Sequence, residues 1–302
     1  MSRPRVMSFY LEPGLKESAE AGQHNFLGKI ADAGRRAGME VMFCGNSAGE
    51  VAGSDPAREF AVMHMDPPPH ANAVTVRRAY YYPFWSIERS EKRWEFDVAR
   101  ASFHAAEVPE KEARGFVRRW RRKWFDGWAA GPEGHAYVPL QGRLLEKRSF
   151  QVCSPVEMIE AVLEHDPNRP VIAALHPKER YSASELAALE RLEAKHDRLT
   201  LTMGGVESLL PGCDYVVTQN SAVGFAGYFF DKPLVLCGRI DFHHIALSAQ
   251  KDIGEAIRHA PNWRADYDAY LWWFLQKMAI NAGRPEADEK IAARLRGFGW
   301  PV

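Results

Sequence analysis

Short apolar runs alternate with amphipathic stretches in the second half of the chain. The apolar runs lie at 136–141, 170–177, 199–204, 214–220 and 233–238. Each has the length and composition of a buried strand. Helices are predicted to begin between them, near Ser154, Ser182, Val206 and Ser221. Alternating strands and helices predict a parallel sheet covered by helices on both faces.

The first half opens with the same alternation and then becomes less regular. A strand is predicted over 5–11, a helix over 25–38 and a strand over 39–45, which is the start of a βαβ unit. From 46 to 75 the pattern blurs around three consecutive prolines. The loop at 129–135 is predicted to be a linker. We therefore predict two α/β domains, 1–130 and 136–302, the second with a helical tail from about residue 251.

The stretch 114–128 is predicted to be a cationic amphipathic helix. Phe116, Trp120, Trp124 and Trp128 recur every four residues, and five cations fill the gaps: Arg118, Arg119, Arg121, Arg122 and Lys123. A packed aromatic stripe under a solvated charged face is the leading interpretation. The alternatives are a surface attracted to anionic lipid headgroups and a binding surface for an acidic polysaccharide.

Composition narrows the classes of protein to which the chain can belong. In 302 residues, 39 Lys and Arg balance 39 Asp and Glu, so the net charge gives no indication of nucleic-acid binding. No apolar run approaches a membrane span, and a cytoplasmic protein is expected, with contact at the inner face of the membrane as an option. The four cysteines lack C-x-x-C spacing, so they are expected to be reduced.

The carboxyl ends of the predicted parallel strands carry the candidate ligand-binding residues. In such sheets ligands bind beyond these ends. Each strand of the second half is followed by polar or glycine residues: Gln141, His176, Lys178, Gly204, Gly205, Gln219, Asn220, Ser221, Arg239 and His243. His176 can donate to a phosphate oxygen, and the helix N-terminus at Ser221 attracts anions. Ser221 can equally be a helix cap.

Four segments carry a resemblance to a known family. They are VPLQ (138–141), SPVEMIEAVLE (154–164), PVIAALHPKE (170–179) and DYVVTQNSAVGFAGYFFDKPLVLCG (214–238). They resemble the capsule polysaccharide biosynthesis family, which includes bacterial transferases of the acidic sugar Kdo that use a CMP-linked donor. The shared marks are the His-Pro pair and the Gln-x-Ser motif, which also resemble those of bacterial sialyltransferases. The resemblance covers roughly residues 136–245.

The resemblance implies a GT-B-like fold, in which two Rossmann-like doubly wound domains face a cleft, followed by C-terminal helices. His176 and Ser221 would hold the phosphate and the acidic group of a nucleotide-sugar donor, and Gln141 and Gln219 would line the same pocket. The implied activity is transfer of a Kdo-like sugar from a CMP donor to a surface or capsular polysaccharide, with a glycan or lipid-linked glycan as acceptor.

Two departures from the family pattern support an alternative. Relatives often have an acidic residue soon after Pro-Leu-Gln, where this chain has Glu146 as the nearest carboxylate. Relatives also often have one after Gly224, where this chain has Phe225. The chain could therefore be a non-catalytic nucleotide-sugar or polysaccharide-binding protein. A second alternative is a UDP-sugar epimerase-like enzyme.

Sugar transfer also needs a base or nucleophile. The first half offers His24, near the first strand, and the carboxylates Asp66, Glu88 and Asp97. Glu88 follows the aromatic run YYYPFW, where an apolar setting would raise its pKa. The predicted catalytic residues are therefore His176, His24 and Glu88. The pair His243 and His244 lacks a third ligand nearby, so neither a metal nor another cofactor is expected.

Overall fold

The computed structural model describes residues 6–302, which form two compact units. The first unit contains the chain up to Arg100 together with the final segment Phe274–Val302. The second contains Ala101–Trp273. This division differs from the predicted domains 1–130 and 136–302. The loop at 129–135 lies within the second unit, and the C-terminal segment returns to the first.

A six-stranded mixed sheet forms the centre of the first unit. Its strands are β1 (Val6–Leu11), β2 (Glu40–Gly45), β3 (Glu59–His64), β4 (Ala73–Arg78), β5 (Phe84–Glu88) and β12 (Ile280–Asn281). Their order is β12-β5-β4-β3-β1-β2. Strands β1 to β4 are parallel, and β5 is antiparallel to both of its neighbours. The chain reverses its direction of travel across the sheet at β1 and β3, so the switch point lies between them.

The helices of the first unit explain why the C-terminus belongs to it. They are α1 (Pro13–Glu20), α2 (Asn25–Arg36), α3 (Ala48–Ala52), α4 (Asp97–Arg100) and α12 (Ala287–Gly297). Ala287, Ile291 and Leu295 recur every four residues along α12 and are buried with Phe9 of β1 and Phe26 of α2. The apolar stripe of α12 thus completes the first core.

The sheet of the second unit is entirely parallel and has the order of a dinucleotide-binding fold. Its strands are β6 (His135–Pro139), β7 (Val171–Leu175), β8 (Leu199–Met203), β9 (Cys213–Thr218), β10 (Leu234–Leu236) and β11 (Leu247–Ser248). Their order is β11-β10-β9-β6-β7-β8. Counted from β6 this is 3-2-1-4-5-6, and the switch point lies between β6 and β9. The predicted fold class, two Rossmann-like α/β domains, is confirmed.

Helices cover the second sheet, and those predicted to begin near Ser154, Ser182, Val206 and Ser221 do so. The helix predicted over 114–128 instead begins at Glu110 and ends at Trp124. They are α5 (Glu110–Trp124), α6 (Pro155–His165), α7 (Ala183–Lys195), α8 (Val206–Gly212), α9 (Ala222–Tyr228), α10 (Ile253–His259) and α11 (Tyr267–Trp272). Ser154 and Ser182 each form a capping box with the glutamate three residues on, and Ser221 caps α9. A stretch of π-helix, Trp273–Met278, follows α11.

Helix α5 belongs to the second unit because its aromatic stripe packs there. Phe116 and Trp120 are buried. Trp124 contacts Phe229, which follows α9, at a ring-centroid distance of 5.5 Å. The packed-stripe interpretation is therefore confirmed. Across residues 6–302, no helix combines the length and apolarity needed to span a membrane.

Candidate functional site

One edge of the second sheet collects the predicted donor-binding residues. Because the strands are parallel, the residues that follow them lie on the same edge. Those after β6 to β10 are Gln141, His176, Lys178, Gly204, Gly205, Gln219, Asn220, Ser221, Arg239 and His243. Gln141 and the Gln219–Ser221 run follow β6 and β9 and so flank the switch point. Gly204 and Gly205 follow β8 at the far end of the sheet.

His176 is exposed beyond β7 and its backbone is held in place. Its N–H donates to the Tyr181 hydroxyl at 2.8 Å, and its Nδ1 accepts from the Lys178 N–H at 3.2 Å. Since Nδ1 accepts, the neutral ring carries its proton on Nε2. Nε2 has no hydrogen-bond partner within residues 6–302. The imidazole can therefore donate to an anionic oxygen.

Ser221 is a helix cap in this structure. Its hydroxyl accepts from the Val223 N–H at 3.2 Å, and the side chain is buried. Strand β6 lies between the strands that precede His176 and Ser221, so their ends are about 10 Å apart. The two residues are thus placed for different groups of one extended ligand, such as a phosphate and a sugar.

Unpaired buried amide groups are concentrated at the switch point. The Nε2 of Gln219 donates to the Cys153 carbonyl at 3.0 Å, which leaves its Oε1 buried. Gln141 Oε1 and Gln151 Nε2 are also buried, and none of the three atoms has a hydrogen-bond partner in the described chain. Gln151 forms an antiparallel bridge with Gly238, and a Cβ placed on Gly238 would lie 2.7 Å from the Gln219 carbonyl oxygen. Buried polar groups are nearly always paired, so these atoms are available to hydrogen-bond a ligand or an ordered water molecule.

Arg148 is a site residue that the sequence analysis missed. It lies in the loop that follows β6, half-buried, with its Nε enclosed and unpaired within the described residues. Its backbone N–H donates to Gln151 Oε1 at 2.8 Å, and its guanidinium lies 4.8 Å from the centre of the Phe150 ring. Burial, followed by the nearby Arg143 charge, lowers the Arg148 pKa. A partly desolvated cation without a carboxylate partner is a favourable contact for a bound anion.

Glu179 is a second residue that the sequence analysis missed. A Cβ placed on Gly142 would lie 2.6 Å from the Glu179 Oε2, so the loop after β7 brings this carboxylate beside the end of β6. Glu179 follows the His-Pro pair by two residues, and that spacing was the available signal. An acidic group therefore lies close to Gln141 although the loop after β6 supplies only Glu146.

The remaining predicted donor residues lie on the same edge with less distinctive contacts. Gly204 and Gly205 have φ of 70° and 80°, a left-handed conformation that favours glycine. Part of the His243 side chain is exposed to solvent, and the enclosure of the rest by the protein lowers its pKa. Its ring centre lies 4.3 Å from that of His244, and the two ring planes are tilted by 53°. His244 is held between the Tyr270 hydroxyl and the Ala101 carbonyl, so it serves the packing of the unit.

Glu88 and Asp97 lie away from the ligand edge of the first sheet. Glu88 pairs in register with Thr75, near the amino end of β4, and its carboxylate accepts from Arg294 Nη2 at 2.8 Å. Arg294 also pairs with Asp97. Burial outweighs the attraction of Arg294 and raises the Glu88 pKa to about 7. The predicted apolar setting is present, but the geometry gives Glu88 a structural role that joins β5 to α12.

His24 and Asp66 are placed differently relative to the strand ends of the first sheet. Helix α1 intervenes after β1, so His24 follows α1 and caps α2 through its Nδ1, which accepts from the Leu27 N–H at 3.2 Å. Burial lowers its pKa. Asp66 follows β3 directly and accepts from the Asn46 side chain at 3.1 Å. By the strand-end rule, Asp66 has the better position of the two.

Two further residues at the first switch point were missed by the sequence analysis. Glu12 follows β1, and His64 ends β3. Burial lowers the His64 pKa, while the Glu12 charge opposes this shift. Their position at adjacent strand ends, with Asp66, was hidden because the pattern over 46–75 did not resolve β3. Within residues 6–302, no group of three or more His, Cys, Asp or Glu side chains could hold a metal ion.

Comparison with known proteins shows which family the second half of the chain resembles. Residues 151–284 match the model of the capsule polysaccharide biosynthesis protein family. The resemblance to this family is therefore confirmed over a segment that contains most of the donor-binding candidates. No curated protein matches the chain.

Solved structures resemble the chain over almost its whole length. KpsC from Thermosulfurimonas dismutans, a beta Kdo 2,7 transferase, is 12% identical with a TM-score of 0.53, covering 98% of this chain and 99% of the other. The beta Kdo 2,4 transferase of KpsC from the same organism is 13% identical with a TM-score of 0.49, covering 89% and 90%. UDP-GlcNAc 2-epimerase from Methanocaldococcus jannaschii is 10% identical with a TM-score of 0.37, covering 97% and 99%. The likeness to the first of these supports the fold.

Proposed function

We propose that this protein is a glycosyltransferase that moves a Kdo-like acidic sugar from a CMP-activated donor to a surface or capsular polysaccharide. The match of residues 151–284 to the capsule polysaccharide biosynthesis family supports the general class. The identities of the donor and of the acceptor are proposed from the chemistry of the site. The proposal assigns the donor nucleotide to the switch point of the second sheet, with a glycan or lipid-linked glycan as acceptor.

The observation that carries the proposal is the set of unpaired groups around that switch point. Arg148 offers a half-buried guanidinium without an ion pair in the described chain. Gln141 and Gln219 offer buried carboxamide oxygens that need donors. A cytidine monophosphate sugar matches both demands, because it has an anionic phosphate and also hydroxyl and amino donors.

The proposal gives the other residues of this edge separate roles. Nε2 of His176 donates to the phosphate oxygen that departs with CMP, and this hydrogen bond stabilises the negative charge that develops on the leaving group. Glu179 is the carboxylate of the second unit best placed to act on the sugar. On the first unit, His64 and Asp66 are the acceptor-side candidates, in preference to His24 and Glu88. No metal is assigned a role.

The test is release of CMP from CMP-Kdo, measured with and without an acceptor glycan. We expect slow release by the wild type, and a reduction of at least tenfold in His176→Ala and Glu179→Gln. Lys195→Gln, which alters an exposed residue at the C-terminal end of α7, away from the ligand edge, is the matched control. Nucleotide binding without turnover of any CMP-sugar would instead support the non-catalytic binding protein. Preference for UDP over CMP in a binding panel would support an epimerase-like enzyme.

A further inference from the structure

Helix α5 exposes a dense band of positive charge that the proposed reaction does not use. Lys111 and six further cations of this helix are exposed: Arg114, Arg118, Arg119, Arg121, Arg122 and Lys123. The buried residues of the same helix, Ala113, Phe116, Val117 and Trp120, form one stripe. At about 100° per residue, Arg118 and Arg122 lie on the side opposite that stripe. Arg119 lies at the edge of the stripe, with its guanidinium 5.7 Å from the centres of the Phe116 and Trp120 rings.

The central cations of this band are not neutralised by the protein. Arg114 pairs with Glu110, and the charges of Arg114 and Arg121 oppose the rise that burial causes in the pKa of Asp268. By contrast, Arg118, Arg119, Arg122 and Lys123 form no ion pair with a carboxylate in the part of the chain that the structure describes. A cluster of like charges repels itself, so an external polyanion stabilises it.

Aromatic side chains lie at the C-terminal end of the same band. Trp124 and Trp128 are half-buried. Trp128 stacks on Phe230 with ring centroids 5.9 Å apart, so one part of each indole is packed and another part is accessible. Amphipathic indole rings beside cations are typical of surfaces that contact the headgroup region of a bilayer.

We propose that the outer face of α5 binds an anionic phospholipid surface. The exposed cations fan around a convex helix, which suits a flat surface of negative charge. The concave surface beside the helix suits an acidic glycan less well. Arg118 and Arg122 of the same band also border this concave surface, but Asp126, Asp231 and Asp268 line it as well, so a polyanion lying in it would meet carboxylates. The inference is independent of the sugar donor.

The test is co-sedimentation of the full chain with vesicles. One set contains phosphatidylcholine alone, and the other contains phosphatidylcholine mixed with phosphatidylglycerol. We expect binding to the second set only, and release as the salt concentration rises. In R118Q/R119Q/R122Q we expect affinity about a hundredfold lower, since each of the three cations contributes a factor of about five near an anionic bilayer.

A matched variant distinguishes binding through this surface from an effect of the net charge of the protein. R191Q/K195Q/K251Q removes the same number of exposed cations from other parts of the second unit and should bind as the wild type does. Thermal melting of both variants verifies that they are folded. Equal loss of binding in the two variants would overturn the proposal. Binding of the wild type to polygalacturonate but not to anionic vesicles would also overturn it, in favour of an acidic glycan.

Discussion

At the scale of single residues, the informative side chains are polar ones that lack partners. Arg148 is half-buried with an enclosed Nε, and Gln141, Gln151 and Gln219 each have a buried amide atom without a hydrogen bond in the described chain. Leaving such groups unsatisfied costs stability. Unpaired buried polar groups at a switch point favour the interpretation that this part of the sheet edge binds a ligand.

Arg148→Met tests this interpretation, because methionine retains most of the apolar stem and removes the charge. We expect the affinity for CMP to fall by about 1.5–3 kcal/mol, the usual contribution of a hydrogen bond to a charged group. The affinity for cytidine, which lacks the phosphate, should change little. Isothermal titration of both ligands measures the difference.

Arg143→Met is the matched control for Arg148→Met. Arg143 lies in the same loop, but it is exposed and lies 3.5 Å from Glu146. Its replacement should leave CMP affinity nearly unchanged. Equal losses in the two variants would mean that the loop contributes only a general positive potential, and Arg148 would lose its specific role.

At the scale of elements, local signals in the sequence located most helices and strands of the second unit. Capping serines and short apolar strands are properties of neighbouring residues, so Ser154, Ser182 and Ser221 were found correctly. Helix α1 and strands β3 and β4 were not resolved. Helix α1 is only eight residues long with one buried side chain, and β3 and β4 flank a proline-rich loop.

Gly224 and Gly227 provide a matched pair of tests within α9. A Cβ on Gly224 would lie 3.0 Å from Leu234 Cδ1 and 3.3 Å from Thr218 Cγ2. A Cβ on Gly227 would make ordinary contacts of 3.5 Å or more. We expect Gly224→Ala to lower the free energy of unfolding by about 1–3 kcal/mol. Gly227→Ala should be neutral or slightly stabilising, because alanine favours a helix. Urea unfolding of both variants measures this, and equal effects would exclude tight packing of α9 on the sheet.

The ion pair between β5 and α12 predicts an unusual pH dependence. Burial raises the Glu88 pKa from its ordinary 4.5 to about 7. Between these values the folded state holds the proton more tightly than the unfolded state, so stability falls as pH rises through this window. At pH values above this window, Glu88 lowers the free energy of unfolding by about 3 kcal/mol relative to pH values below it.

Glu88→Gln removes this titration while keeping a neutral side chain of similar shape. The change in the free energy of unfolding between about pH 5 and about pH 8 should therefore differ between the two proteins. The wild type should lose more stability than the variant on going to the higher pH. A larger loss in the variant would show that the attraction of Arg294 outweighs burial.

At the scale of the whole molecule, the division into units depends on contacts between distant parts of the chain. The sequence predicted two α/β domains but placed their boundary at the glycine-rich loop 129–135. Packing of α12 against β1 and α2, and of Trp124 against Phe229, decides the division instead. Such pairings leave no local signal, because one amphipathic stripe fits many cores.

Fragments of the chain test this division. We expect residues 101–273 to unfold cooperatively, since they contain the complete second core. A fragment of residues 136–302 lacks α5 and carries the apolar face of α12 without its partners. It should aggregate or unfold without a cooperative transition. Circular dichroism during heating distinguishes the two, and a stable 136–302 fragment would favour the boundary predicted from sequence.

The central claim is that the switch point between β6 and β9 binds the donor nucleotide. A crystal soaked with CMP tests it most directly. We expect electron density for the phosphate within hydrogen-bond distance of the Arg148 guanidinium, with the nucleoside against Gln141 and Gln219. Density for CMP at the edge of the first sheet, with the second left unchanged, would contradict it.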